Sequence, residues 1–94
     1  MFRPSLDTLP VKNPDQVIDR VVDGEALLIH LPSGEYFSLD HVGTDIWESI
    51  DGARTVGDLA KLVLDEYDVD QDQAVADVLR LVEQLAGEGL LLLQ

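Results

Sequence analysis

A chain of 94 residues, 46% of them hydrophobic, has room for one domain around a single core. Its 19 acidic side chains against 6 basic ones leave a net charge of −13, a field that repels nucleic-acid phosphates and anionic bilayers and draws in basic peptides or protein surfaces. Cysteine is absent, which excludes disulfides, thiolate metal sites and thiol nucleophiles.

Residues 1–16 carry Pro4, Pro10 and Pro14. Proline fixes φ and removes a backbone donor, so an extended or mobile lead-in is expected there, with the folded domain over 17–94. The lead-in has no apolar run of signal-peptide length and nothing later approaches a membrane span, so a cytoplasmic location is expected.

From Val17 to Leu39 the pattern is that of strands. Val17-Ile18 and Val21-Val22 flank Asp19-Arg20 in a first strand. Asp23-Gly24 is a two-residue turn signal, since Gly accepts positive φ without steric cost. Ala26 to Leu31 is an apolar run suited to a central strand, and Pro32-Ser33-Gly34 is a second turn. Glu35 to Leu39 alternates, with Glu35, Phe37 and Leu39 on one face and Tyr36 and Ser38 on the other. A three-stranded antiparallel meander follows, and in that order its third strand is an edge.

Three helices come next. Asp40 caps the first, in which Val42, Ile46, Trp47 and Ile50 recur at helical spacing, and Asp51-Gly52 ends it. Thr55 caps the second, with Asp58 at N3 as an acidic capping box and Leu59, Leu62 and Val63 as its stripe; Tyr67 closes it. Asp70 caps the third, which runs to about Ala86 before Gly87 and Gly89 stop it. Leu90 to Leu93 reads as an extended tail. The layout is α+β and winged helix-turn-helix-like: a three-stranded antiparallel sheet followed by three helices.

In the third helix Ala74, Val75, Val78, Leu79, Leu81, Val82, Leu85 and Ala86 share an arc of roughly 160°, wider than the ~100° stripe of a surface helix. Asp77 and Glu83 border it. Either the helix is sandwiched between the sheet and the other helices, or part of the arc, including Val75, Leu79 and Val82, lines a groove that a partner fills.

No catalytic constellation emerges. His30 and His41 have no fixed spacing to a carboxylate and read as a neutral strand residue and an exposed helix-start residue. Asp68, Asp70 and Asp72 lack the glycine and the distal glutamate of a calcium loop and read as capping residues. Phosphate-cradling loops and activated serines are missing, and Ser49 lies at a helix end, unlike the attachment serine of acidic carrier domains. A non-enzymatic chain with no metal and no cofactor is expected.

The segments "GEYFSLD", "VGTDIWESIDG", "RTVGDLAKLVLDEYDVD" and "AVADVLRLVEQLAGEGLL", in this order and spacing over about residues 17–93, resemble the PqqD-like peptide chaperones, also called RiPP recognition elements. The family's common Leu-Asn before the first helix is Leu39-Asp40 here, and both residue types cap helices. The resemblance implies a non-catalytic adaptor for the leader segment of a ribosomally made precursor peptide. The leader would add as a strand to Glu35, Tyr36, Phe37, Ser38 and Leu39 and pack on the third helix at Val75, Asp77, Val78, Leu79 and Val82. Backbone groups of an unpaired edge would supply affinity, and Asp77 or Glu83 would meet a basic leader residue. The chain ends soon after this unit, so the stand-alone kind is expected, serving a modifying enzyme or a leader protease, with the lasso-peptide type slightly favoured. A monomer or weak homodimer is expected, with neither nucleic acid nor membrane as partner. The alternatives are a winged-helix DNA-binding regulator, which the acidic third helix with its lone Arg80 argues against, and a structural subunit that binds an enzyme but no peptide.

Overall fold

The computed structural model describes residues 4–94. Met1 to Arg3 of the expected lead-in lie outside them. Two antiparallel sheets and three helices form the fold. Strands β2 (Val17–Val22), β3 (Glu25–His30) and β4 (Tyr36–Ser38) make the expected meander in the order β2-β3-β4. Helices α1 (His41–Ser49), α2 (Val56–Glu66) and α3 (Gln71–Gly87) follow. A second sheet pairs β1 (Pro10–Lys12) with β5 (Leu91–Leu93).

Local chemistry sets the boundaries. The β2–β3 turn places Asp23 at φ 54° and Gly24 at φ 78°, the two positive values that a tight hairpin of the strands' own twist requires. Each helix opens on a side-chain cap: Asp40 accepts from Gly43 N–H, Thr55 from Asp58 N–H, and Asp70 from Gln73 N–H. In α2 the Asp58 carboxylate returns the bond to Thr55 N–H, completing the box. Helix α3 ends in a Schellman motif. Gly89, at φ 79°, bonds the Ala86 carbonyl, and Leu90 N–H bonds the Leu85 carbonyl at 2.9 Å.

That ending delivers Leu90 and Leu91 into the core, and Leu91–Leu93 pairs with the N-terminal arm in the register Pro10 to Leu93. The arm is pinned beyond the ladder. Leu9 and Gln94 exchange backbone bonds, Asn13 Nδ2 donates to the Gly89 carbonyl, and the carbonyls of Thr8 and Leu6 accept the first two N–H groups of α2. Backbone donors that a helix start leaves unpaired are thus satisfied by the arm.

The core lies between the inner face of the meander and the helices. Ala26 and Leu28 of β3 meet Ile46, Trp47, Val56, Leu59, Val63, Val78, Val82 and Leu85. Trp47 is fully buried, and its indole N–H donates to Asp19 Oδ2 at 2.7 Å. Lys12 Nζ lies 4.8 Å from the centre of the Trp47 ring and 3.9 Å from the same carboxylate oxygen. One tryptophan thereby ties both sheets to α1. Asp19→Ala leaves the indole N–H buried without an acceptor and should cost about 1–3 kcal/mol. Trp47→Ala, which opens a cavity at the same point, should cost about 3–5 kcal/mol. Urea unfolding followed by far-UV circular dichroism measures both.

Candidate functional site

The edge strand and the cleft beside it are built by one junction. In an antiparallel ladder, residues that exchange hydrogen bonds alternate with residues whose backbone groups point away. His30 N–H donates to the Glu35 carbonyl at 2.8 Å, and Leu39 N–H donates to the Ala26 carbonyl at 2.8 Å. Phe37, opposite Leu28, falls midway between these bonded pairs. The N–H and C=O groups of Tyr36 and Ser38 therefore face away from β3. Among the described residues no backbone group bonds them from that side, and β4 is one of the two edge strands of its sheet.

Thr44 anchors the end of that margin. Its hydroxyl accepts from Ala26 N–H at 2.8 Å and donates to the Leu39 carbonyl at 3.4 Å, replacing the last direct rung of the ladder. Asp40 caps α1 at the same place, so the chain leaves β4 and enters α1 without a loop. A cleft of about 310 Å³ opens there. Asp40, Val42, Gly43 and Ile46 form one wall, and Asp77, Arg80, Leu81 and Gln84 of α3 form the other. Asp77 Oδ1 is held by Gln73 Nε2 at 2.8 Å and lies 3.8 Å from the Arg80 guanidinium.

The expected site residues divide accordingly. Glu35, Tyr36, Phe37, Ser38 and Leu39 do lie on or next to the edge. Phe37 and Leu39 turn inward onto the core, whereas Tyr36 is 72% exposed. On α3 only Asp77 lines the cleft. Val78 and Val82 are fully buried in the core, so a charge at Val82 would test folding rather than the cleft. Val75 and Leu79 lie on the other flank of α3, roughly 140–180° from Asp77 and Gln84 at ~100° per residue. The wide arc is real, but its cleft-facing margin is Leu81 with Asp77, Arg80 and Gln84. Their i, i+3, i+4, i+7 spacing was available in the sequence. Which flank would face α1 was not. Glu83 is exposed and lies outside this cleft.

A second cleft, of about 270 Å³, separates α1 from α2 and is lined by Asp45, Ile46, Glu48, Ser49, Leu62, Val63, Glu66 and Tyr67. Neither cleft is lined by a residue of β4; the α1–α3 cleft reaches the end of that strand through Asp40, the cap of α1. The histidines are held in local contacts: His30 Nδ1 lies 2.8 Å from Ser33 Oγ, and the His41 ring lies where a Cβ on Gly24 would be, 2.7 Å away. Among the described residues no group of three or more His, Asp or Glu side chains is arranged to hold a metal ion, and no helix is long and apolar enough to cross a membrane.

With this geometry in hand, the chain can be set beside known proteins. The family model of coenzyme PQQ synthesis protein D, PqqD, matches residues 25–91. The chain belongs to the PqqD family. The match runs from the start of β3 to β5 and so includes the open margin and both walls of its cleft. A search of curated proteins gives no match. Among solved structures, this PqqD-family chain is similar to TbiB1 in complex with the TbiA(beta) leader peptide, at 32% identity and a TM-score of 0.78, over 86% of this chain and 94% of that one. It is also similar to a lasso peptide synthetase B1 complexed with the leader peptide, at 25% identity and a TM-score of 0.79, over 89% and 98% of the two chains. The α+β fold read from the sequence and the resemblance to PqqD-like proteins both hold.

The α1–α2 cleft yields a pH prediction. The Tyr67 hydroxyl donates to the Asp45 carboxylate. That bond, then desolvation and the carboxylate's charge, push the phenol from 10.0 up to about 12. A raised folded-state value means the contribution is fully present below the unfolded value near 10.0 and is lost as pH rises through about 12. The 295 nm absorbance difference between wild type and Tyr67→Phe should titrate near the upper value, and Asp45→Asn should move it back toward the lower one.

Proposed function

We propose that this chain is a non-catalytic adaptor that binds the leader segment of a ribosomally made precursor peptide by β-strand addition at β4 and presents it to a modifying enzyme or a leader protease. The observation that carries this reading is the open margin itself: outward backbone groups at Tyr36 and Ser38, on a strand that leads through Asp40 into a cleft lined by Val42, Ile46 and Leu81. An extended peptide completes such an edge with main-chain hydrogen bonds and drops alternate side chains into the adjoining pocket. Both structural neighbours are leader-peptide complexes, which supports a peptide as the ligand and a lasso-type pathway as its setting.

Electrostatics agrees with a peptide and disagrees with DNA. The exposed charges of α3 are mostly acidic, with Arg80 its one cation, whereas nucleic-acid affinity rests on clustered cations. In this reading Asp77 orients polar groups at the mouth of the cleft. The protein works in the cytoplasm as a monomer or a weak homodimer, because a second copy can reach the same edge only in competition with the leader.

The test uses fluorescence polarisation with a labelled synthetic leader peptide, the TbiA(beta) leader bound by the structural neighbour TbiB1. Ser38→Pro removes an outward donor and sets a ring against the guest backbone, a change that an edge strand tolerates in the free protein. Affinity should fall about tenfold or more, consistent with an acceptor left unpaired. Leu81→Asp should weaken binding comparably by placing a charge on the apolar lining. Unchanged affinity in both folded variants would overturn the proposal.

A further inference from the structure

The outer face of the meander is unusual for a sheet with helices on one side only. Such a sheet normally alternates apolar-in with polar-out. Here Ala26, Leu28 and Phe37 turn inward onto the core, so their strand neighbours turn outward. The register pairs Ile18 with Ile29 and Ile29 with Tyr36. These three form one row straight across β2, β3 and β4. Ile18 is 52% exposed and Tyr36 72% exposed. The row ends at Tyr36, on the margin whose backbone groups are unpaired.

Resting on the strand-addition reading above, we infer that the bound peptide is read on both of its faces, and that Tyr36 selects an apolar or aromatic residue on the outward one. A guest strand at β4 is a fourth strand of the same sheet. Its side chains alternate between the cleft and the outer face. The guest residue level with Tyr36 therefore becomes the next member of the Ile18–Ile29–Tyr36 row. Neighbouring side chains on one face are the unit of sheet stabilisation, and aromatic–β-branched and aromatic–aromatic pairs rank among the favourable ones. Covering Tyr36 and the adjoining edge of Ile29 removes apolar surface from water that nothing else among the described residues covers. The outward position of the guest is thus a second recognition point, separate from the α1–α3 cleft.

The register also predicts a contrast one step along. Ser38 shares its row with Leu27 and Arg20, so the outward guest position beside Ser38 meets a small polar residue and carries little preference.

A display selection with a randomised twelve-residue peptide library tests this, run on the wild type, Tyr36→Lys and Ser38→Pro, each checked for folding by circular dichroism. Wild-type binders, lost on Ser38→Pro, should be enriched for aromatic or β-branched residues at one outward position as well as at alternate inward ones. On Tyr36→Lys the inward preferences should persist, and the outward one should shift to Asp or Glu. A recovered wild-type binder should lose about two- to fivefold in affinity on Tyr36→Lys. Binders that depend on the β4 edge but show the same outward preferences on wild type and Tyr36→Lys would overturn two-faced reading while leaving strand addition intact. Binders indifferent to Ser38→Pro would overturn both.

Discussion

Two hydrogen bonds decide what β4 can do. The bond from His30 N–H to the Glu35 carbonyl and the bond from Leu39 N–H to the Ala26 carbonyl bracket the strand. Because bonded pairs recur every second residue, they commit Glu35, Phe37 and Leu39 to the sheet and leave Tyr36 and Ser38 facing out. A slip of one residue would turn Phe37 and Leu39 to the outer face and Tyr36 inward. The apolar pair on the core side makes that slip costly. Thr44 strengthens the same choice, since its buried hydroxyl fills the rung between Ala26 and Leu39. The free donors are therefore a consequence of how the core is closed.

The rest of the chain keeps that margin open. The N-terminal arm is consumed by β5 and by the first turn of α2. The meander's other margin, β2, carries Asp19 and Arg20 side by side, and Asp19 is engaged by Trp47 and approached by Lys12. Charges on an edge discourage pairing with another chain. Of the two margins, β2 carries two charged residues that discourage pairing, and β4 carries none.

Most of this fold was legible in the residues because short-range chemistry determines it. Asp23-Gly24 could be read as a turn since few pairs tolerate two positive φ values. Asp40, Thr55 and Asp70 could be read as caps since their side chains reach only the donors of the following turn. The β1–β5 ladder was not legible. Each strand has three residues, too few for an alternating pattern, and their partner lies at the far end of the chain. The arc of α3 was legible in its width but not in the use of its flanks. A helical wheel gives the angular spread of apolar residues but not which neighbour stands on which flank, so it does not separate the Val75 and Leu79 flank from the Leu81 and Gln84 flank that lines the α1–α3 cleft. Val78 and Val82, at the middle of the arc, were the residues most certain to be core, and burial takes them there.

The flank of α3 that lines the cleft bears on how the site divides its work. A strand-addition site draws affinity from main-chain bonds that any non-proline peptide can make, so discrimination must come from side chains. The cleft is lined by apolar Val42, Ile46 and Leu81 together with polar Asp40, Asp77, Arg80 and Gln84. Asp77 is already engaged by Gln73 and neighboured by Arg80, which leaves it little unpaired charge to offer a basic guest residue. Exposed ion pairs contribute little in any case, and across interfaces they act on encounter more than on the final complex. The acidic surface is then best understood as a long-range attraction for basic peptides. Choosing among the peptides that arrive falls to apolar contacts of short reach, set by the register that the Leu39–Ala26 bond imposes.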